Sequence, residues 1–155
     1  MSVFASGSGR TLIIGIGNPL RGDDGLGWAV AEQLAQDGDM ACEIRTVHQL
    51  TPELAQWVAF ADRVIMIDAS CEGVPGELRV YQLALSGHPV SRGTHATTPE
   101  ELIILAEYLY GRCAPVTIVT MTGADFSIGE RLSPTLASKI CQIGEVVRQL
   151  YTNVT

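Results

Sequence analysis

Two adjacent carboxylates, Asp23 and Asp24, follow a turn built from Gly15, Gly17, Asn18, Pro19 and Gly22. A third, Asp68, closes the apolar run Arg63-Val-Ile-Met-Ile-Asp68, 44 residues after Asp24. His95 stands in a polar loop shortly before a helix-start signal. Carboxylates held close together repel, and a proton, a basic side chain or a metal must offset the charge. Basic groups are scarce. Lys139 is the only lysine and falls in the last predicted helix, where it should point away; Arg21 sits in the turn and is as readily solvated as recruited. Two carboxylates and one imidazole suit a borderline divalent metal such as Zn or Ni, and three protein ligands leave coordination positions open for chemistry. The plainer reading makes one acid of the pair an N-cap of the following helix and the histidine a surface residue. A cap needs only one of the two acids, which leaves the other to face a cation.

Those residues need a frame. Thr11-Leu-Ile-Ile-Gly-Ile16 reads as a buried strand, and Leu26, Val30 and Leu34 recur at helical spacing. Strand, glycine turn, helix is the opening of a doubly wound α/β domain, where the turn usually cradles a phosphate. Gly15 and Gly17 fit the first two places of Gly-x-Gly-x-x-Gly, but Leu20 occupies the third, and the two carboxylates would repel phosphate. No nucleotide is expected. Open α/β sheets bind ligands at the carboxyl ends of their strands. With strand order 2-1-3, the first and third strands are neighbours, so Asp24 and Asp68 should converge.

The remaining pattern alternates. Cys42–Val47 reads as a second strand; Thr51-Pro52 starts a short helix through Leu54 and Val58. Glu77–Leu83 alternates polar and apolar residues, as a half-exposed and antiparallel edge strand would. Residues 86–97 form a polar loop with His88 and His95. Thr98-Pro99-Glu100-Glu101 is a capping box before a helix burying Leu102, Leu105 and Leu109. Pro115–Met121 is the last strand, and Ser133-Pro134 caps a final helix with the stripe Leu136, Ile140, Ile143, Val147 and Leu150. The expectation is a three-layer α/β/α sandwich, with a five-stranded, mostly parallel sheet in the order 2-1-3-5-4 and four main helices. Residues 1–155 should form one domain with a flexible stretch at 1–10.

Composition narrows the function. The 155 residues are 46% hydrophobic, ample for a core, and the net charge of −7 disfavours nucleic acid as partner. Neither a signal-peptide core in MSVFASGSGR nor an apolar run of membrane-spanning length is present, so a cytoplasmic protein with no membrane partner is expected. Cys42, Cys71, Cys113 and Cys141 are scattered without Cys-x-x-Cys spacing and read as reduced thiols. Asp-Thr-Gly, His-Glu-x-x-His and Gly-x-Ser-x-Gly are all missing, which excludes the ordinary aspartic, zinc and serine hydrolase arrangements. Cys71, close after Asp68, has no base assigned beside it and is a poor nucleophile candidate.

Two families share parts of this layout. Two-component receiver domains also pair acids after the first strand with an aspartate ending the third, but they carry a lysine at the end of the fifth strand, where this chain has Val119-Thr-Met-Thr-Gly-Ala-Asp125. The run Gly15-Ile-Gly-Asn-Pro-Leu-Arg-Gly-Asp-Asp-Gly-Leu-Gly27, the strand ending Ile-Asp68-Ala, the His95 loop and the late Gly129…Leu132-Ser-Pro134 stretch together resemble the hydrogenase maturation endopeptidases over nearly the whole chain. The resemblance implies an endopeptidase, dependent on aspartates, that removes the C-terminal extension of a nickel-loaded [NiFe]-hydrogenase large-subunit precursor. It implies that Asp24, Asp68 and His95 contact nickel carried by that precursor, with Zn or Cd able to substitute. Some relatives have glutamate at the Asp24 position; aspartate keeps the charge and shortens the reach. The alternative is a non-cleaving metal-binding or chaperone-like module that recognises the immature subunit.

Overall fold

The computed structural model describes residues 9–84 and 97–153. The chain runs β1 (Thr11–Ile16), α1 (Leu26–Asp37), β2 (Glu43–Val47), α2 (Ala55–Phe60), β3 (Arg63–Ser70), β4 (Leu78–Gln82), α3 (Pro99–Tyr110), β5 (Val116–Thr122), α4 (Pro134–Ala137) and α5 (Ile140–Thr152). Short 3-10 turns at Gly22–Gly25 and Pro52–Leu54 lead into α1 and α2. The sheet order is β2-β1-β3-β5-β4, parallel except for β4 against β5. Order and direction both match the expectation.

Alternation along the central strands explains the three layers. Leu12, Ile14, Val64, Met66, Val116 and Ile118 face Leu54 and Val58 beside α2 and Leu102, Ile103 and Ala106 of α3. Ile13, Ile65, Ile67, Val119 and Met121 face Leu26, Val30 and Leu34 of α1, Leu136 of α4, and Ile143 and Val147 of α5. Strands buried on both faces have no polar side to show, hence the unbroken Ile and Val runs. Arg10 is pinned, its N–H donating to Asp62 Oδ2 at 2.6 Å and its guanidinium to Glu43 at 2.8 Å.

Three details depart from the sequence reading. The final helix is two: α4 stops at Ala137 and α5 restarts at Ile140, with Lys139 between them, not inside a helix. The Lys139 side chain lies against Gly76 in the β3–β4 loop. On α3 the buried stripe is Leu102, Ile103 and Ala106, while Leu109 is 55% exposed. Leu102, Ile103 and Ala106 turn one side of α3 to the core, which leaves Leu109 on the solvent side. The Thr98–Glu101 capping box is present with both of its hydrogen bonds.

The first turn of α1 lies almost on the strand backbone. A Cβ added at Gly27 would sit 2.4 Å from the Ile67 carbonyl oxygen and 2.6 Å from Ile16 N, and one at Gly15 would sit 2.3 Å from the Gly27 carbonyl oxygen. That approach holds the acidic turn directly over the ends of β1 and β3. Gly27→Ala should therefore destabilise the fold by about 3 kcal/mol, the upper range for overpacking against unyielding backbone, as read by urea unfolding.

Candidate functional site

Asp24 and Asp68 reach the same end of the sheet by different routes. β1 ends at Ile16, and a turn tied by Arg21 N to Asn18 O (3.1 Å) and Asp24 N to Arg21 O (3.1 Å) folds back over it. The Asn18 N–H donates to Asp24 Oδ2 at 2.8 Å and orients that carboxylate. Gly17, at φ +140°, is required there: an added Cβ would lie 1.9 Å from the Asp24 carbonyl oxygen. Asp68 sits one step past the last β1–β3 pairing, Gly15 with Ile67. Its Oδ1 accepts the Ala69 N–H at 2.8 Å. Each carboxylate thus has one oxygen held by a backbone N–H and a second oxygen with no hydrogen bond among the described residues.

The electrostatics register the convergence. Burial pushes Asp68 up to about 7, the Ala69 N–H pulls the other way, and the nearby Asp24 charge adds to the rise. Tyr81 of β4 faces the same space: burial raises its phenol, and the charges of Glu100 and Asp68 raise it further, against Arg79. Asp68, Thr120 and Arg79 form one row across β3, β5 and β4, all on the α2–α3 face. Asn18, Arg79, Tyr81 and Glu100 were not singled out from sequence. Only the strand register could have aligned Arg79 and Tyr81 with Asp68.

His95 and His88 lie outside the described residues, so the third member of the expected donor set is not placed. Among the described residues no group of three His, Cys, Asp or Glu side chains is gathered tightly enough to hold a metal ion. His48 ends β2 edge-on to Trp28, with ring centroids 5.1 Å apart. Hollows of about 310 Å³ beside Arg10 and about 660 Å³ beside Arg63 open at the other, amino end of the strands, away from both carboxylates.

Asp23 does something the sequence reading did not assign. Neither acid caps α1, whose N-cap is Gly25 with no side-chain bond. Asp23 is instead fully buried and accepts four hydrogen bonds. Oδ2 takes Ala124 N (2.7 Å), Asp125 N (3.0 Å) and Ser133 Oγ (2.8 Å); Oδ1 takes Ser133 N (2.7 Å). Burial alone would raise its pKa, but the Ser133, Ala124 and Asp125 amides and the Ser133 hydroxyl hold it below the usual carboxylate range. Asp23 therefore fixes Ser133, the residue that caps α4, from 110 residues away. The expected cap of α1 by one of the two acids is absent.

Comparisons with known proteins follow the same geometry. No family model and no curated protein matches the sequence. Solved structures do. The [NiFe] hydrogenase maturation protease HycI of Thermococcus kodakarensis KOD1 is similar at TM-score 0.74, with 23% identity over 96% of each chain. The chain has the fold of the hydrogenase maturation proteases. The maturating endopeptidase HybD of E. coli gives TM-score 0.71 and 21% identity over 91% of each chain. HybD of Thermococcus kodakarensis gives 0.68 and 21%, covering 92% of this chain and 99% of its own.

Two consequences are measurable. Asp23→Asn should cost about 3 kcal/mol, because the amide turns an N–H towards donors that need an acceptor; denaturant unfolding at pH 7 reads the loss. That contribution is present above the ordinary carboxylate pKa and fades as pH falls through the lowered native value. Asp68 runs oppositely. Its native pKa, about 7, lies above the ordinary aspartate value of 3.8, so the folded state binds the extra proton between them and loses stability as pH rises towards and through 7. Asp68→Asn lacks that loss. Its melting temperature relative to the parent protein should climb from pH 5 to pH 8, and a gap that narrows instead would mean that Asp68 is ionised against a cationic partner.

Proposed function

We propose that this protein is a peptidase of [NiFe]-hydrogenase maturation, which removes the C-terminal extension from a large-subunit precursor that already carries nickel. The observation that carries the reading is the coupling of Asp24 and Asp68 at the carboxyl end of the sheet. The shared fold with maturation proteases supports it. On this reading the protein works in the cytoplasm on a protein partner, and nickel arrives as cargo of the precursor. No helix among the described residues is long and apolar enough to cross a membrane.

The donor set fits such cargo. Asp68, buried and beside the Asp24 charge, calls for a positive charge, and each carboxylate has an oxygen to spare. His95 completes a mixed oxygen and nitrogen set suited to Ni, and to Zn or Cd in its place. The ion would supply Lewis-acid polarisation of the scissile carbonyl. The chain's own groups do the rest. The Asn18 and Ala69 N–H groups fix the two carboxylates. Asp68 is placed to take a proton from the attacking water and return it to the departing amine.

Purified protein mixed with nickel-loaded precursor, read by mass spectrometry, tests this. Cleavage should appear as loss of the C-terminal extension. Asp24→Asn, Asp68→Asn and His95→Gln should each slow it at least about 100-fold with circular dichroism unchanged. Full processing by all three variants would overturn the reading. A stable complex whose precursor keeps its mass would make the protein a non-cleaving recognition module instead.

A further inference from the structure

Three central strands, β1, β3 and β5, each leave the sheet through a loop that raises one large aliphatic side chain into solvent. Leu20 is 52% exposed after β1, Val74 72% after β3 and Ile128 92% after β5. Single exposed aliphatics are ordinary; three at the one end that also carries Asp24 and Asp68 are a pattern. Of the other exposed large apolar side chains among the described residues, Val80 and Tyr81 lie on β4, and Phe60, Tyr108, Leu109 and Tyr110 lie at the tail ends of α2 and α3. There Phe60 and Tyr110 already pack edge-on at 5.3 Å, and Arg112 covers Phe60.

Two of the three are rigidly braced. Gly129 N–H donates to the Leu20 carbonyl at 2.9 Å, and Gly22 N–H donates to the Gly129 carbonyl at 2.9 Å. Asp23 N–H donates to the Asp125 carbonyl at 2.8 Å, while the Asp23 carboxylate gathers the rest of that loop. Gly22, at φ +55°, has no room for a Cβ, which would lie 2.5 Å from the Asp125 carbonyl oxygen. Leu20 stands two residues, at most about 7 Å of chain, from Asn18, whose N–H grips the Asp24 carboxylate. Ile128 adjoins the residue bonded to Leu20. An extended peptide with its scissile bond at the carboxylates covers that distance in about three residues.

We propose that Leu20 and Ile128, with Val74 on the same rim, form the seat for the precursor's polypeptide chain, Leu20 and Ile128 taking apolar side chains within about three residues of the bond that reacts. The proposal rests on the peptidase reading and names the surface that reading lacks. The occupant is an extended peptide because backbone hydrogen bonds join the Leu20 and Ile128 loops to the turn that carries Asp24, where the proposed substrate is a peptide bond. Bracing both loops beforehand lowers the ordering cost of binding. The Asp24–Asp68 pair then senses the cargo, and the rim senses the chain that carries it.

The test uses the full chain, the triple variant Leu20→Ser/Val74→Ser/Ile128→Ser, and nickel-loaded large-subunit precursors from the source organism. Binding is read by biolayer interferometry and cleavage by mass. The variant should melt like the parent, bind at least 10-fold more weakly and show a raised KM with kcat retained at saturation. Equal binding and equal KM would overturn the docking seat and leave the peptidase reading standing. A parent that binds without cutting removes the peptidase reading, and the binding ratio still decides the seat. A parent that neither binds nor cuts any precursor removes both.

Discussion

The Asp23 carboxylate is the joint on which this end of the molecule depends. It is wholly buried, and a buried charge is expensive unless every lone pair is used. Here three backbone amides and one hydroxyl use them, which offsets the desolvation and draws the β5–α4 loop onto the β1–α1 turn. Backbone bonds from Gly22 to Gly129 and from Asp23 to Asp125 finish the splice. Loops of this size would otherwise be among the softer parts of an α/β domain. Spliced together, they hold Asp24 at a fixed height above the strand ends.

Three aspartates at one end of one sheet then have three environments. Asp23 is surrounded by donors and held charged. Asp68 has burial and a like-charged neighbour, and is pushed towards neutrality. Asp24 has a single backbone donor and supplies the field that Asp68 feels. Surroundings, not residue type, divide the labour, and divergent environments for one kind of group are a mark of functional sites.

Much of this architecture can be read directly in the residues. Unbroken Ile and Val runs required strands buried on both faces, and the 2-1-3 order followed from a doubly wound opening, so the neighbourhood of Asp24 and Asp68 could be inferred before any coordinates. Asp23 could not, because its partners lie 101 to 110 residues away and only tertiary contact reveals donors supplied from so far along the chain. The break between α4 and α5 was hidden because Leu136 and Ile143 face one core across it, so the apolar stripe continues while the backbone does not. The outward turn of Leu109 was hidden for a related reason: spacing fixes a stripe's period, but the side of α3 that meets the core fixes its phase.

The glycine turn shows why a nucleotide-like opening need not bind a nucleotide. In phosphate-binding turns, unpaired backbone N–H groups face an incoming anion. Here the Asn18 amide is taken by Asp24, and the Ala124, Asp125 and Ser133 amides are taken by Asp23. The chain fills its own anion-binding donors with its own carboxylates. What remains facing out, the second oxygen of Asp24 beside that of Asp68, is acceptor surface that favours a cation. Two aspartates placed after an otherwise ordinary α/β turn thus reverse the sign of the ligand the turn can receive.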